Sequence, residues 1–346
     1  MASRRSRKRN TTPDQLVGVN AQQLFNPYSP IRVLNEDDLD LIHDGAMRIL
    51  EEIGLHVMNK KALAIYEKEG AKVDWDKQYV FIDRSIVMKQ LQTVPSEFTM
   101  HARNPDRNRL IGRNAINFTS VASAPNSSDL EGGRRTGNFE DYCNFLRLSQ
   151  SAGVIDFLTG YPVEPIDIPP ATRHLDASLA AYTLTDKSFS LYCLGGGRVN
   201  DGIEMAAIAR GVDKETMKNE PSIITVVNTN SPLLVDDSML DGLIEMAENG
   251  QPTIVTPFTL SGAMCPITLA GALAQQTAEA LGVIILSQMV RPGAPMVMGG
   301  FTSNADMRTG APAFGTPEYT KAALASGQLA RRYNIPFRSS APNASN

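Results

Sequence analysis

The 346-residue chain predicts an α/β fold: a (β/α)8 barrel of the TIM type, incomplete at about six of its eight strands, with an N-terminal α+β cap. Three observations carry this. From residue 138 onward, short runs of Val, Ile, Leu and Thr alternate with helical stretches, the pattern of parallel strands buried on both faces. No Rossmann or P-loop glycine fingerprint marks the switch point of a doubly wound sheet, so the barrel is the favoured arrangement. A polar loop punctuated by Gly and Pro, Phe301–Glu318, lies between a strand-like run, residues 294–300, and a helix-like run, residues 318–333. An α/β barrel carries its chemistry in such loops.

Taken in order, Met1–Asn10 holds five basic residues in ten positions. Without an apolar segment this is no secretory signal. Residues 1–34 read as a solvated, disordered tail, with a transit peptide or an anionic-surface contact as other readings. A helix is predicted from Glu36 to Ile53. Asn35 caps it, Asp38 stands three residues on, and Leu39, Ile42, Ala46, Ile49, Leu50 and Ile53 recur at helical spacing before Gly54. A second helix is expected over residues 60–69, then strands over 79–82, 98–101 and 109–119. Residues 35–135 form the cap, and residues 136–346 the partial barrel.

In the barrel, a helix over residues 138–149 precedes strands at 155–160, 189–193, 223–227, 253–256, 296–298 and 336–339. The helices between them span 201–210, 236–248, 269–289 and the run from Glu318. Six strands of an eight-strand design leave unpaired edges, so a shortened chain is expected, with self-association into a homo-oligomer as a consequence.

Composition narrows the function. The chain is 42% hydrophobic and 20% charged with net charge -4, ordinary for a globular protein and unfavourable for nucleic acid. No unbroken run of eighteen apolar residues occurs, so no membrane span is expected. Cys143, Cys193 and Cys265 are too few and too scattered for a disulfide scaffold or a zinc knuckle, which places the chain in a reducing cytoplasm.

Candidate site residues follow from the strand ends: Tyr161, Asn228, Asn230, Phe258, Phe301, Asn304 and the segment from Ser340 to Asn343 that includes Pro342. The set is neutral and aromatic. Ring faces at Tyr161, Tyr192, Phe258 and Phe301 could cage a quaternary ammonium group, or simply pack in the core. The asparagines could bind a carboxylate or amide, or merely form loops. His43, His56, His101 and His174 have no ligand spacing, and no protein-held metal is expected. Gly195–Gly197 could cradle a phosphate or form a plain turn. Arg134 and Arg135 could hold an anion or form a charged turn.

Several segments, in this order, resemble the trimethylamine methyltransferase superfamily. They are Leu39 to Gly54, Asp129-Leu-Glu-Gly-Gly-Arg-Arg-Thr136, Asn228-Thr-Asn-Ser-Pro-Leu233, Asp306 to Glu318, and Gln328 to Phe337. The resemblance implies a TIM barrel, no cofactor held by this chain, and a separate corrinoid protein whose cobalt accepts a methyl group from a small methylated amine. Trimethylamine-specific members carry pyrrolysine after the sixth strand, where this chain has Pro342 or a neighbour. That departure implies a quaternary amine substrate, glycine betaine first, because a quaternary nitrogen leaves as a neutral amine without covalent activation. Other readings are a fragmentary or non-catalytic member that binds an amine or a corrinoid protein, and an S-adenosylmethionine enzyme, which the absent nucleotide loop disfavours.

Overall fold

A computed structural model describes residues 22–192 and 194–340. Chain order begins with β1 (Leu24–Phe25), inside the segment read as a tail and paired antiparallel with β7 (Ala115–Ile116). Helix α1 (Glu36–Arg48) starts with the expected capping box. The Asn35 side chain accepts from the Asp38 amide at 2.8 Å, and Asp38 accepts from the Asn35 amide at 3.3 Å. The last predicted turn, Ile49–Ile53, winds as a π-helix, with the Gly54 amide reaching back to the Ile49 carbonyl.

The cap continues with β2 (Leu55–Val57), α2 (Lys60–Lys68), β3 (Lys72–Asp74), β4 (Tyr79–Phe81), α3 (Arg84–Leu91), β5 (Glu97–Met100) and β6 (Arg109–Gly112). The predicted strand over 109–119 is broken into β6 and β7. A second hairpin, β8 (Asn126–Asp129) with β9 (Gly133–Thr136), carries the paired arginines.

Helices α4 (Phe139–Ser151) and α5 (Arg173–Leu184) lead to β10 (Phe189–Tyr192), α6 (Gly196–Arg210), α7 (Lys214–Asn219) and β11 (Ile223–Thr229). Next come β12 (Leu234–Val235), α8 (Asp237–Glu248), β13 (Thr253–Ser261) and α9 (Leu269–Val290). The chain ends with β14 (Met296–Gly299), β15 (Phe301–Asn304), α10 (Pro317–Arg332) and β16 (Phe337–Arg338). All pairings along β10-β11-β13-β14-β16 are parallel, and β15 continues β14 along β13. The order never reverses, so the sheet is wound in one direction and is not a doubly wound sheet. The predicted strand over 155–160 is reduced to single bridges, Phe157 with Thr119 and Leu158 with Phe189.

Alternation gives the sheet two faces. Phe189, Leu191, Ile223, Val227, Val255, Met296 and Met298 join the helices in the main core. Phe157, Ile224, Ile254 and Val297, on the other face, pack against Phe98, Met100 and Ile111 of the β5–β6 hairpin. That hairpin is tied down where the strands begin: the His101 amide donates to the Pro221 carbonyl at 2.6 Å. Helices therefore cover one face, and the hairpin plugs the amino-terminal half of the other.

Helix α9 is apolar all round because core surrounds it. Among the described residues it is the one helix long and apolar enough to cross a membrane, yet 83% of its apolar window is buried inside the protein. Its Gln276 shapes the last strands. A Cβ on Gly300 would lie 2.3 Å from the Gln276 Oε1, so any larger residue would have to displace the buried Gln276 amide. The chain breaks between β14 and β15 at that point, then resumes, with the Thr302 hydroxyl donating to the same oxygen at 2.6 Å. Residues 301–304, expected to open a loop, are thus strand. This is a correction: polar Thr-Ser-Asn reads as loop in sequence, but buried Gln276 and Thr259 satisfy the Thr302 hydroxyl, and the Ser303 hydroxyl donates to the Asn304 carbonyl.

Candidate active site

The carboxyl ends of β11, β13 and β15 bring the central candidates together. Phe258 and Phe301 are direct register partners. Asn228 is paired with Thr256, two residues before Phe258, so all three side chains leave the plugged face of the sheet. The Phe258 and Phe301 ring centroids lie 6.2 Å apart at 51°. Phe314 completes a triangle at 6.3 Å from each, and Tyr319 stacks edge-on behind it at 5.3 Å. Sequence reasoning missed Phe314 as a member. Its only signal was an aromatic residue within the polar loop after the strand.

Asn228 and Asn230 are exposed. Their strand end is pinned from the helix side by Glu279 of α9, fully buried, whose carboxylate accepts from the hydroxyls of Thr229 (2.5 Å) and Ser231 (2.7 Å), the Leu233 amide (2.9 Å) and Gln275 Nε2 (2.9 Å). A carboxylate without a cationic neighbour survives burial only when its lone pairs are taken this way. Asn304 has the parity opposite to Phe301. Its Oδ1 accepts from the Thr316 hydroxyl at 3.0 Å and its carbonyl from the Ala313 amide, which fastens the Ala305–Gly315 loop. Pro342 lies outside the described residues.

Tyr161 belongs to a second aromatic group. Its ring meets Tyr192 edge-on at 4.5 Å and Tyr142 at 5.6 Å. The Tyr192 hydroxyl donates to Glu164 Oε1 at 2.6 Å and also contacts the Ser123 hydroxyl. Burial, aided by Glu164, pushes the Tyr161 phenol up to about 12. Burial and the Glu164 contact raise Tyr192 further, so both rings stay neutral at physiological pH.

Other sequence candidates resolve differently. Gly195 caps α6, but the Asp241 carboxylate already accepts from the Gly196 amide at 2.6 Å, so an acidic side chain holds the spot a phosphate would need. Arg135 clamps Asp141 at 2.6 Å and also pairs with Asp129, which makes it a strut of the β8–β9 hairpin. Each histidine has a local partner: His43 with the Tyr333 hydroxyl, His56 stacked on Tyr79, His101 with Glu220, His174 with Asp201. Among the described residues no group of three His, Cys, Asp or Glu is placed to hold a metal ion.

The architecture is a one-way parallel α/β sheet with helices on one face and the β5–β6 hairpin against the other. It is shared with a solved monomethylamine methyltransferase from Methanosarcina barkeri, at TM-score 0.54 and 12% identity over 88% of this chain and 67% of that one. The chain belongs to the trimethylamine methyltransferase (MTTB) family, whose model matches residues 1–346. It is 38% identical to a glycine betaine methyltransferase of Desulfitobacterium hafniense over 92% of this chain and 65% of that protein. It is also 29% identical to a trimethylamine methyltransferase of the same species, over 87% and 61%, and 26% identical to an L-carnitine:corrinoid methyltransferase of Eubacterium limosum, over 88% and 63%. The chain thus spans less than two thirds of the length of these relatives.

Proposed function

We propose that this protein moves a methyl group from a quaternary amine to the cobalt of a separate corrinoid protein, and that its parallel strands belong to a (β/α)8 barrel. The observation that carries the reading is the Phe258–Phe301–Phe314 triangle, three rings 6.2–6.3 Å apart at the carboxyl ends of β13 and β15, on the sheet face that Asn228 also leaves. Aromatic ring faces attract a desolvated trimethylammonium group, each worth about 0.5–2 kcal/mol, without the hydrogen-bond geometry an ammonium would need. Family membership and the relatives named for betaine and carnitine support the same substrate class.

In this reading the corrinoid supplies a cobalt(I) nucleophile that takes the methyl carbon in line as the neutral tertiary amine leaves. The chain's own residues hold the cation, strip its water and aim one methyl outward; alignment of this kind is the main lever for a reaction that needs no proton transfer. Phe258, Phe301 and Phe314 hold the cation, and Asn228 and Asn230 line the open side. Tyr161 and Tyr192 form the neutral wall on the side of β10. Asn304 enters as the residue that fixes the loop carrying Phe314. We place the chemistry in the cytoplasm, consistent with Cys143 and Cys265 remaining free thiols.

The test is spectroscopic. Incubated with a cobalt(I) corrinoid protein, the protein should convert it to the methyl form with glycine betaine as donor. Methylation by trimethylamine alone, with no quaternary amine active, would overturn the proposal.

A further inference from the structure

Arg338 lies on the same face of the sheet as the aromatic triangle. It is the register partner of Gly299, two residues before Phe301, and its guanidinium stands 4.8 Å from the Phe301 ring centroid. Among the described residues no carboxylate pairs with it and no hydrogen bond reaches it. Burial, not a charged neighbour, dominates its surroundings and holds its guanidinium below the ordinary arginine value. The residue is half-buried and offers its five fixed donors to no protein acceptor.

Two hydroxyls nearby share that condition. Thr256 is 1% exposed with no partner for its buried Oγ1, and a Cβ on Gly299, the register partner of Arg338, would lie 2.7 Å from that oxygen. The Tyr319 hydroxyl, behind Phe314, is buried and unpartnered as well. A half-buried guanidinium and two buried hydroxyls, all without protein acceptors around one aromatic group, mark a place where a ligand oxygen belongs.

We infer that Arg338, assisted by Thr256, is the carboxylate-recognising half of this pocket, so that its ligand is a zwitterion carrying a quaternary ammonium and a carboxylate a few atoms apart. The inference rests on the quaternary-amine reading above and deepens it. The logic includes exclusion. A cation without a carboxylate would meet the Arg338 charge unshielded across the Phe301 ring, whereas a zwitterion neutralises it. Arg338 therefore selects betaines over choline-like cations that offer the same trimethylammonium head.

The experiment is calorimetric binding to the full-length protein and to Arg338→Gln and Arg338→Lys. The probes are glycine betaine, choline and 3,3-dimethylbutanoate, the last being the carboxylate with carbon in place of nitrogen. The intact protein should prefer glycine betaine to choline by about tenfold or more, and Arg338→Gln should lose about tenfold to a hundredfold in betaine affinity, the range for hydrogen bonds to a charged group. The same variant should gain affinity for choline, a reversal that mere loss of structure cannot produce. Arg338→Lys should fall between. Equal binding of betaine and choline, unchanged by either substitution, would overturn the inference and leave the quaternary-amine reading standing. Arg338-dependent binding of 3,3-dimethylbutanoate with no binding of either ammonium compound would sustain the carboxylate site and sink the function proposed for it.

Discussion

Glu279 and Ser231 meet at 2.7 Å in the interior, where a helix carboxylate takes the hydroxyl of a strand-end residue. Three further donors converge on the same carboxylate, and none is a cation. Removing the acceptor with Glu279→Ala strands these donors at once, at about 1–3 kcal/mol for each left unsatisfied. The expected loss is about 3 kcal/mol or more, read as a lower urea midpoint. Glu279→Gln should recover only part, because its NH2 faces donors. An unchanged midpoint in Glu279→Ala would show that the strand end is held by something else.

Arg109 and Asp156 form an ion pair at 2.7 Å with side chains only 6% and 7% exposed. Asp156 also accepts from the Phe118 amide at 2.9 Å. Breaking such a pair leaves a charge buried without its partner, at about 3–5 kcal/mol. Asp156→Ala should therefore destabilise the protein by that amount. Exchange of both residues for apolar ones should be milder than the single substitution. Chemical unfolding of the three proteins checks the order.

Phe258→Leu keeps most of the apolar volume but removes a ring face. Stability should change by less than about 1.5 kcal/mol, while quaternary-amine affinity should fall about thirtyfold, the value of a desolvated cation–π contact of about 2 kcal/mol. Phe258→Tyr should retain affinity. Titration calorimetry separates the two effects, and equal affinity in Phe258→Leu would remove this ring from the cage.

Lys187 is buried with its Nζ donating to the carbonyls of Ser149 (2.6 Å) and Ala152 (2.9 Å). Burial, followed by repulsion from Arg107, lowers its pKa from 10.5 to about 8. The unfolded chain keeps this proton to higher pH, so between these values the unfolded state binds more protons and stability rises with pH. Below pH 8 both states are protonated and the penalty is present in full. Urea midpoints measured from pH 7 to 10 should climb in the native protein, and Lys187→Met should lack that component. Identical slopes in the two proteins would contradict the assignment.

Much of the fold was readable because its signals are local. Asn35 and Asp38 announce α1, and Ile223–Val227 or Thr253–Thr256 can hardly be anything but buried strand. The boundaries that failed depend on distant partners. Phe301–Asn304 is polar enough to read as loop, and only Gln276, some two dozen positions earlier in the chain, makes it strand. Helix α5 went unread because Ala-rich Arg173–Leu184 shows little periodicity. Among the strand-end candidates, Asn228, Phe258 and Phe301 are the ones the sheet register aligns on one face. Phe314 and Arg338 were not legible as neighbours of Phe301, because their nearness to it is tertiary. Asn304 was grouped with the strand-end candidates, where a shift of one residue turns the side chain to the other face.

The β5–β6 hairpin stops the hollow like a cork in the base of a cup. Phe98, Met100 and Ile111 fill the space against Ile224, Ile254 and Val297. The amino-terminal half of that face is therefore packed solid, which leaves the carboxyl-terminal half for any ligand. Under the function proposed above, a demethylated amine would have to leave from the carboxyl-terminal side of the strands before a fresh molecule could enter.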